Sequence, residues 1–400
     1  MSGYAGKPDL KLDARLMRIV DADYPRFSAA EMERRRKLLA EAMAKAGVDH
    51  LVAYSSLFRG GPVHWISDWY TTFEAVLVFS PGQRDSIAVQ FFNHLPQARQ
   101  VLPEVDFRWG GPSTIATAIG ALKERGAKSG RVGAVGLVPM HYYKALGAEF
   151  GEVHDLNRPY FGLRMVKSAE EIDWYRIAAR LSDLPIEALT RDVRAGLDER
   201  DLGAITEGAY TPWRGANLIH FFLSTSMHAP DAFVPRQHLT ARKIRNGDVI
   251  VTEITASFWE QWGQVLRTFT VGEGFTPLYQ RLHDTALAAY DAVFATLKPG
   301  VHFRELEIGR KVVEDAGLTF YDDLTHGLGG GYLPPVIGSP MRPYEPLPDM
   351  TLQPGMMLVI QPNVITPDQK AGVQTGELVV ITDKGAESLH TAPRGAIHLR

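Results

Sequence analysis

Residues 247–269 constrain the fold of this chain most, because they have the pattern of two adjacent strands with polar groups inside them. A glycine–aspartate turn leads into an apolar, β-branched run that is typical of a buried strand, and Glu253 stands within that run. A second strand follows a short aromatic turn and carries Gln264 and Arg267. A buried carboxylate costs free energy unless it is paired or hydrogen-bonded. We therefore expect these three side chains to meet at a functional site.

The composition is that of an ordinary globular protein with two domains. Four hundred residues exceed one typical core, and 45% are hydrophobic while 22% are charged. A formal net charge of -3 gives no basic surface for nucleic acid. The absence of cysteine excludes disulfides, thiolate nucleophiles and cysteine-ligated metals. No signal-peptide pattern is present and no apolar run reaches the roughly 18 residues of a membrane span, so we expect a cytoplasmic protein without membrane partners.

The pattern of elements changes near residue 163. Residues 1–162 alternate short apolar strands with helices, which predicts a small α/β domain, and Ser28 begins a capping-box pattern that predicts a helix start. No glycine fingerprint of a dinucleotide site follows any of these strands. Residues 163–400 combine long helices with strands and glycine-rich turns, and a second capping box begins at Ser168.

Six segments, taken in order, resemble the creatinase/aminopeptidase P/prolidase superfamily. They are Arg164-Met165-Val166-Lys167-Ser168, Gly247-Asp248, Arg267-Thr268-Phe269, His326-Gly327-x-Gly329, Leu352-x-Pro354-Gly355-Met356 and Thr382-x-x-Gly385-x-Glu387-x-Leu389. The likeness is close over about residues 160–395 and weaker before them. It implies an α/β (α+β) chain with a small creatinase/prolidase-like domain at residues 1–162 and a pita-bread catalytic domain at residues 163–400.

The resemblance also implies that the family's metal ligands have been replaced. Metal-dependent members hold two divalent ions with two Asp, one His and two Glu. At those positions this chain has Glu253, Gln264, His326, Gln361 and Gly376, with Glu377 beside the last. Neutral amides and a glycine do not balance two dications, which prefer several anionic oxygens. We therefore expect neither a metal ion nor another cofactor.

Creatinase, the metal-free member of the superfamily, is the nearest pattern for such a site. It hydrolyses a carbon–nitrogen bond with a histidine and surrounding carboxylates, and it works as a homodimer, so the resemblance implies a homodimer here. Leu266 stands where creatinase has a glutamate before the Arg-Thr pair, and Gln361 replaces the glutamate before proline. Creatine is therefore not the expected substrate, and the metal-free chemistry is what the resemblance carries over.

His326 and Glu253 are the expected catalytic residues, together with one further histidine. An imidazole titrates near neutral pH and can pass protons, while Glu253 can orient or deprotonate water. The alternatives are a packed histidine and a carboxylate held by a neighbouring arginine. His228 resembles the superfamily's proton-shuttling histidine, and we prefer it to His220 and His238.

Polar side chains near these positions are the expected substrate ligands. They are Gln264, Gln361, Arg267, Glu377, Arg342, Arg59 and His220. The two glutamines can hold an amide or urea-like group by paired donors and acceptors, unless they mark a decayed site. Arg342 matches the loop of a carboxylate-binding arginine in creatinase, and Arg59 is a candidate to reach a partner's site, although both can be plain surface arginines. The expected aromatic walls are Phe258, Trp259, Trp262 and Tyr332.

The leading hypothesis is a metal-independent, creatinase-like hydrolase. It would cleave a non-peptide carbon–nitrogen bond, in an amide, amidine or lactam, within a small carboxylated compound. Three alternatives stay open: a lyase on the same scaffold, an Xaa-Pro metallopeptidase, and a non-catalytic pseudo-peptidase that retains only the fold.

Overall fold

The computed structural model describes residues 6–57, 61–329, 331–343 and 345–400. Contacts divide them into two compact units, Asp21–Arg164 and Met165–Arg400, and the described residues up to Val20 belong to the second unit. Helix α1 (Ala14–Asp21) ends this N-terminal stretch. Both units combine helices with sheets, which confirms the predicted α/β class.

The unit Asp21–Arg164 is built on a mixed six-stranded sheet. Strands β1 to β6 are His50–Ser56, Glu74–Phe79, Ser86–Val89, Asp106–Trp109, Val132–Val135 and Val153–Asp155, in the order β4-β3-β2-β1-β5-β6. Helices α2 to α7 are Ala29–Lys45, Pro62–Ser67, Leu95–Val101, Thr114–Glu124, Met140–Phe150 and Asn157–Leu163. Ser28 caps α2, and its hydroxyl accepts a hydrogen bond from the Glu31 amide at 3.2 Å, which confirms the predicted helix start.

The unit that follows is organised around a large curved sheet. Its strands β7 to β18 are Ala216–Ser226, Asp248–Phe258, Gln261–Val271, Thr319–Phe320, Thr325–Leu328, Tyr332–Ile337, Met357–Ile360, Asn363–Ile365, Gly372–Gln374, Gly376–Thr382, Gly385–Ser388 and Ile397–Leu399. The main sheet runs β12-β11-β13-β16-β9-β8-β7, with β17 on β16 and β18 on β9. Strands β10, β14 and β15 form a smaller sheet.

Four long helices accompany these strands. They are α8 (Ala169–Asp192), α9 (Glu199–Tyr210), α10 (Pro277–Thr296) and α11 (Ile308–Asp315). The predicted capping box at the start of α8 is confirmed, because the side chains of Ser168 and Glu171 each accept a hydrogen bond from the other's backbone amide. The largest cluster of buried apolar side chains joins α10 and α11 to β7, β8, β13 and β16.

The register of the main sheet decides which polar side chains share a face. In the β8–β9 pair, Glu253 lies opposite Leu266, and Leu266 lies opposite Gly376 of β16. Directly paired residues point to the same side of a sheet, and the side alternates along each strand. Glu253 and Gln264 therefore share one face, while Arg267, three residues after Gln264, lies on the other.

Within the part of the chain that the structure describes, no helix has both the length and the hydropathy needed to cross a bilayer.

Candidate active site

Strands β8, β9, β11 and β13 enclose a cavity of about 180 Å³. The polar side chains that line it are Glu253, Gln264, Asp322, Asp323, His326, Arg342 and Gln361. Ile219, Trp262, Leu328 and Tyr332 supply the rest of the lining. The cavity thus brings together five polar residues that the sequence singled out, two of the predicted aromatic walls and two aspartates that it did not.

Sheet order explains how residues distant in the chain meet here. Glu253 lies on β8 and Gln264 on β9, while His326 lies on β11 and Gln361 directly follows β13. All four side chains are buried. These side chains therefore project from hydrogen-bonded strands of one sheet, which fixes their backbone positions relative to one another.

The Gln264 amide ties two of the strand residues together. Its Nε2 donates to Glu253 Oε1 and to Gln361 Oε1, each at 3.0 Å. An amide nitrogen has two protons, so both are used in these bonds. The arrangement fixes the orientation of both glutamine side chains beside the Glu253 carboxyl group.

Glu253 is a proton donor at neutral pH. Burial raises its pKa, and the nearby Asp322 and Asp323 raise it further, to about 8. No salt bridge to Glu253 exists among the described residues. The alternative reading, a carboxylate held by Arg267, does not apply because Arg267 is paired with Glu377, and with a pKa of about 8 the Glu253 carboxyl group is mostly protonated near pH 7.

His326 is a neutral imidazole with a defined tautomer. Its Nδ1 lies 2.9 Å from the Gly327 carbonyl oxygen, and since a carbonyl only accepts, Nδ1 carries the proton. Nε2 therefore keeps its lone pair. Burial lowers the pKa of His326 below its ordinary value, against the opposing effects of the Gly327 carbonyl and Asp323. The imidazole is suited to accept a proton in the neutral pH range.

A second polar cluster lies beside His326. The Tyr332 ring stacks on the imidazole, with centroids 4.3 Å apart and planes inclined by 26°. Its hydroxyl donates to Asp323 Oδ2, which also accepts from Arg342 Nη2 at 2.5 Å. Burial raises the pKa of the neighbouring Asp322. Asp322 and Asp323 are consecutive in the sequence and precede the strand that carries His326, but no periodic pattern marks them.

Arg267 and Glu377 do not line the cavity. Both lie on the sheet face opposite Gln264, because Arg267 is an odd number of residues from it and Glu377 is paired with Val265. The guanidinium is fully buried and donates to Glu377 and to the carbonyls of Gly376, Ala392 and Pro393. It therefore has a structural environment and not the substrate-binding one that was expected.

The other predicted residues also lie elsewhere. His228 is 63% exposed, and its Nε2 is 2.5 Å from Glu273 Oε1. His220 is buried on the face of β7 opposite Ile219, 3.0 Å from the Tyr210 hydroxyl, and burial lowers its pKa to about 4. The alternative histidine, His238, lies on an exposed loop.

Two of the expected aromatic walls lie away from the cavity. Phe258 is fully buried and packs against Trp174, and neither it nor Trp259 lines the cavity. Arg59 lies outside the described residues.

Comparison with known proteins identifies the family. Residues 173–383 match metallopeptidase family M24. The chain belongs to this family. Creatinase from Bacillus sp. (strain B-0618) is 24% identical over 396 residues, which cover 94% of each protein. An Xaa-Pro dipeptidase from Pyrococcus furiosus is 25% identical over 251 residues, or 62% of this chain and 68% of that protein.

Solved structures of M24 relatives confirm the pita-bread fold that the sequence predicted. An Xaa-Pro dipeptidase from Bacillus anthracis superposes with a TM-score of 0.77 at 19% identity, over 92% of this chain and all of that one. The X-Pro aminopeptidase from Thermotoga maritima gives a TM-score of 0.75 at 19% identity, over 90% of this chain and 100% of the other. The chain is therefore a member of a hydrolase family with the superfamily's fold.

The family implies a pair of metal ions, and the donor set of this cavity does not fit one. Gln264 and Gln361 are uncharged amides, and the Asp323 carboxylate is paired with Arg342. Gly376 offers no ligand, and a Cβ there would lie 2.0 Å from the Ile360 carbonyl oxygen. Among the described residues, no three His, Cys, Asp or Glu side chains are arranged to hold a metal ion.

Proposed function

We propose that this chain is a metal-independent hydrolase that cleaves a non-peptide carbon–nitrogen bond in a small carboxylated compound. The observation that carries the proposal is that His326, whose Nδ1 donates to the Gly327 carbonyl, and Glu253, whose pKa burial raises to about 8, line one cavity. A base and an acid whose pKa values have moved in opposite directions are what hydrolysis needs near pH 7.

In the proposed reaction, His326 Nε2 accepts a proton from water while the water oxygen bonds to the substrate carbon. Glu253 then transfers its proton to the leaving nitrogen as the carbon–nitrogen bond breaks. Solvent exchange returns a proton to Glu253 and removes one from His326, so the cycle is balanced. The Gln264–Gln361 pair fixes the acid and adds polar contacts for a planar amide or amidine group.

The substrate class follows from the size and polarity of the cavity. A volume of about 180 Å³ holds a small molecule and not an extended peptide. Arg342 lines the cavity and its side chain is 55% exposed, so we assign its guanidinium to contact with a substrate carboxylate. A homodimer, as in the creatinase resemblance, is part of the proposal.

The test is turnover without metal. The protein is stripped with a chelator, its metal content is measured by mass spectrometry, and N-acyl amino acids, amidino acids and carboxylated lactams are assayed in heavy-oxygen water. We expect one class to be cleaved with one labelled oxygen in the product, and Glu253→Gln and His326→Gln to lower kcat by roughly 10²–10⁴-fold. The pH profile of kcat/KM should fall above about pH 8, where Glu253 ionises, and below the lowered pKa of His326.

Three outcomes overturn the proposal. Activity that disappears with the chelator and returns with manganese shows a metallohydrolase. Product without the heavy oxygen shows a lyase. If none of these compounds is cleaved, and the protein's cellular function is retained when Glu253 and His326 are both substituted, the chain is a binding protein.

Xaa-Pro dipeptide hydrolysis is the second candidate. It is favoured by the likeness to the Pyrococcus furiosus enzyme, whose name states that activity. Assay of Xaa-Pro dipeptides with and without manganese, in parallel with the panel above, separates the two candidates.

A further inference from the structure

Asp323 is hydrogen-bonded to both Tyr332 and Arg342, which line the cavity together with the candidate base His326. Its Oδ2 accepts hydrogen bonds from the Tyr332 hydroxyl and from Arg342 Nη2, and Arg342 Nη2 is also 3.1 Å from the Tyr332 oxygen. The carboxylate is 1% exposed, whereas the Arg342 side chain is 55% exposed. Asp323 is thus the buried member of a three-residue cluster at the cavity.

This cluster is not arranged for maximal stability. Within the described part of the chain, Asp323 Oδ1 is buried and has no hydrogen-bond partner. A buried carboxylate with one oxygen unsatisfied costs free energy, and its ion-pair partner is largely in water, where such pairs contribute little. A role beyond packing accounts better for an aspartate at this position.

The contact that Asp323 controls is the stack of Tyr332 on His326. The rings lie 4.3 Å apart and nearly parallel, so Tyr332 covers one face of the imidazole, while the Gly327 carbonyl holds its Nδ1 edge. Tyr332 itself is 44% exposed, so packing alone does not hold its ring in one position. Its hydroxyl is hydrogen-bonded to Asp323 and to Arg342, and Asp323 also holds Arg342, so the carboxylate anchors both of these restraints on the phenol.

We propose that Asp323 is a positioning residue, which holds the Tyr332 ring against His326 and so keeps the imidazole in one orientation. The functional part rests on the role proposed above for His326. The structural part does not, and it can be measured without any turnover.

The experiment is nuclear magnetic resonance of the full chain with isotope-labelled histidine. The His326 ring signals are assigned by their loss in His326→Gln, and stacking under Tyr332 should shift them upfield. Tyr332→Leu defines the spectrum without the stack. We expect Asp323→Ala to lose most of the upfield shift and Asp323→Asn, which still accepts from the hydroxyl, to retain it.

Two controls separate positioning from a loss of folding or of charge. Asp322→Asn removes a carboxylate from the same cavity and should leave the upfield shift in place. Far-ultraviolet circular dichroism and thermal unfolding of Asp323→Ala should match the parent protein. Once a substrate is in hand, Asp323→Ala should lower kcat by roughly 10–100-fold with KM little changed, and Asp323→Asn should restore most of it.

The proposal is overturned if Asp323→Ala keeps the parent's His326 shift. It is also overturned if Asp323→Asn and Asp323→Ala change the His326 chemical shift equally, because the hydrogen bond from the Tyr332 hydroxyl would then not be what maintains the stack. A changed shift in a protein that shows no metal-free hydrolysis would leave the positioning role standing and reject the proposed activity alone.

Discussion

Two glutamates on strands β8 and β16, which β9 separates in the main sheet, have opposite electrostatic environments. Glu253 is 8% exposed and Glu377 is 2% exposed, so burial penalises the charge of both. It raises the pKa of Glu253 to about 8, and nearby aspartates add to the shift. At Glu377 burial acts in the same direction, but the charges of Arg267 and His390 outweigh it and hold the pKa below its ordinary value.

The two pKa values differ because the glutamates have different hydrogen-bond and charge partners, and not because one is more deeply buried. Glu377 accepts hydrogen bonds from Arg267, from the Tyr290 hydroxyl and from Ser388, so its charge is fully satisfied. Glu253 accepts one amide hydrogen bond from Gln264. A paired, buried carboxylate belongs to the structure of the sheet, whereas an unpaired one beside a cavity is free to exchange a proton.

Removal of Arg267 should have the largest effect on stability. It leaves Glu377 without its cationic partner, as Glu253 is, but Glu377 does not line the cavity. Arg267→Met leaves a buried carboxylate unpaired and removes the donors to four backbone carbonyls. We expect the free energy of unfolding to fall by about 3–5 kcal/mol. Urea denaturation at neutral pH measures it.

The matched control removes both charges. Arg267→Met combined with Glu377→Gln should recover part of the loss, since no unpaired charge then remains buried. If Arg267→Met alone costs less than about 1 kcal/mol, the pair is not what lowers the pKa of Glu377.

Substitution of Glu253 should change how stability depends on pH. The unfolded side chain releases its proton near the ordinary pKa of 4.5, whereas the folded one keeps it to about pH 8. Across that window the folded protein binds more protons, so its free energy of unfolding falls as pH rises, by at most about 1.4 kcal/mol per pH unit. Glu253→Gln removes this dependence, and its advantage over the parent should grow up to about pH 8 and then stay constant.

Urea denaturation at several pH values across that window gives the comparison. Glu387→Gln, which changes a half-exposed glutamate on the same unit, should run parallel to the parent. Parallel curves for Glu253→Gln as well would mean that Glu253 is ionised in the folded protein and cannot be the acid.

Sequence patterns predicted the parts of the site that regular elements carry. Glu253, Gln264, His326 and Gln361 lie on or directly after strands whose order the superfamily fixes, and they line one cavity. Arg267 was expected beside them because it is near Gln264 in the chain. The odd spacing of three residues places it on the opposite face, and alternation along the strand was sufficient to show this.

The residues that sequence did not reveal lie where no periodicity exists. Asp322 and Asp323 stand in the turn before β11, and the contacts of Asp323 depend on how the loop with Arg342 returns across the sheet. Tertiary packing determines the path of that loop. Sequence spacing alone therefore could not predict the hydrogen bond between Asp323 and Tyr332. Helix starts at Ser28 and Ser168 were predictable because capping is local.

The contact between His228 and Glu273 adds a solvent-exposed carboxylate to the comparison. Removal of His228 should have the smallest effect on stability and on activity. Its contact with Glu273 is exposed on both sides, so solvent screens the pair. We expect His228→Ala to change the free energy of unfolding by less than about 0.5 kcal/mol and to leave kcat close to that of the parent protein. Glu273→Gln is the matched control, since it breaks the same contact and keeps the histidine. A large loss of kcat in His228→Ala but not in Glu273→Gln would mean that the imidazole itself transfers protons during turnover, and the cavity would then need a second base beyond His326.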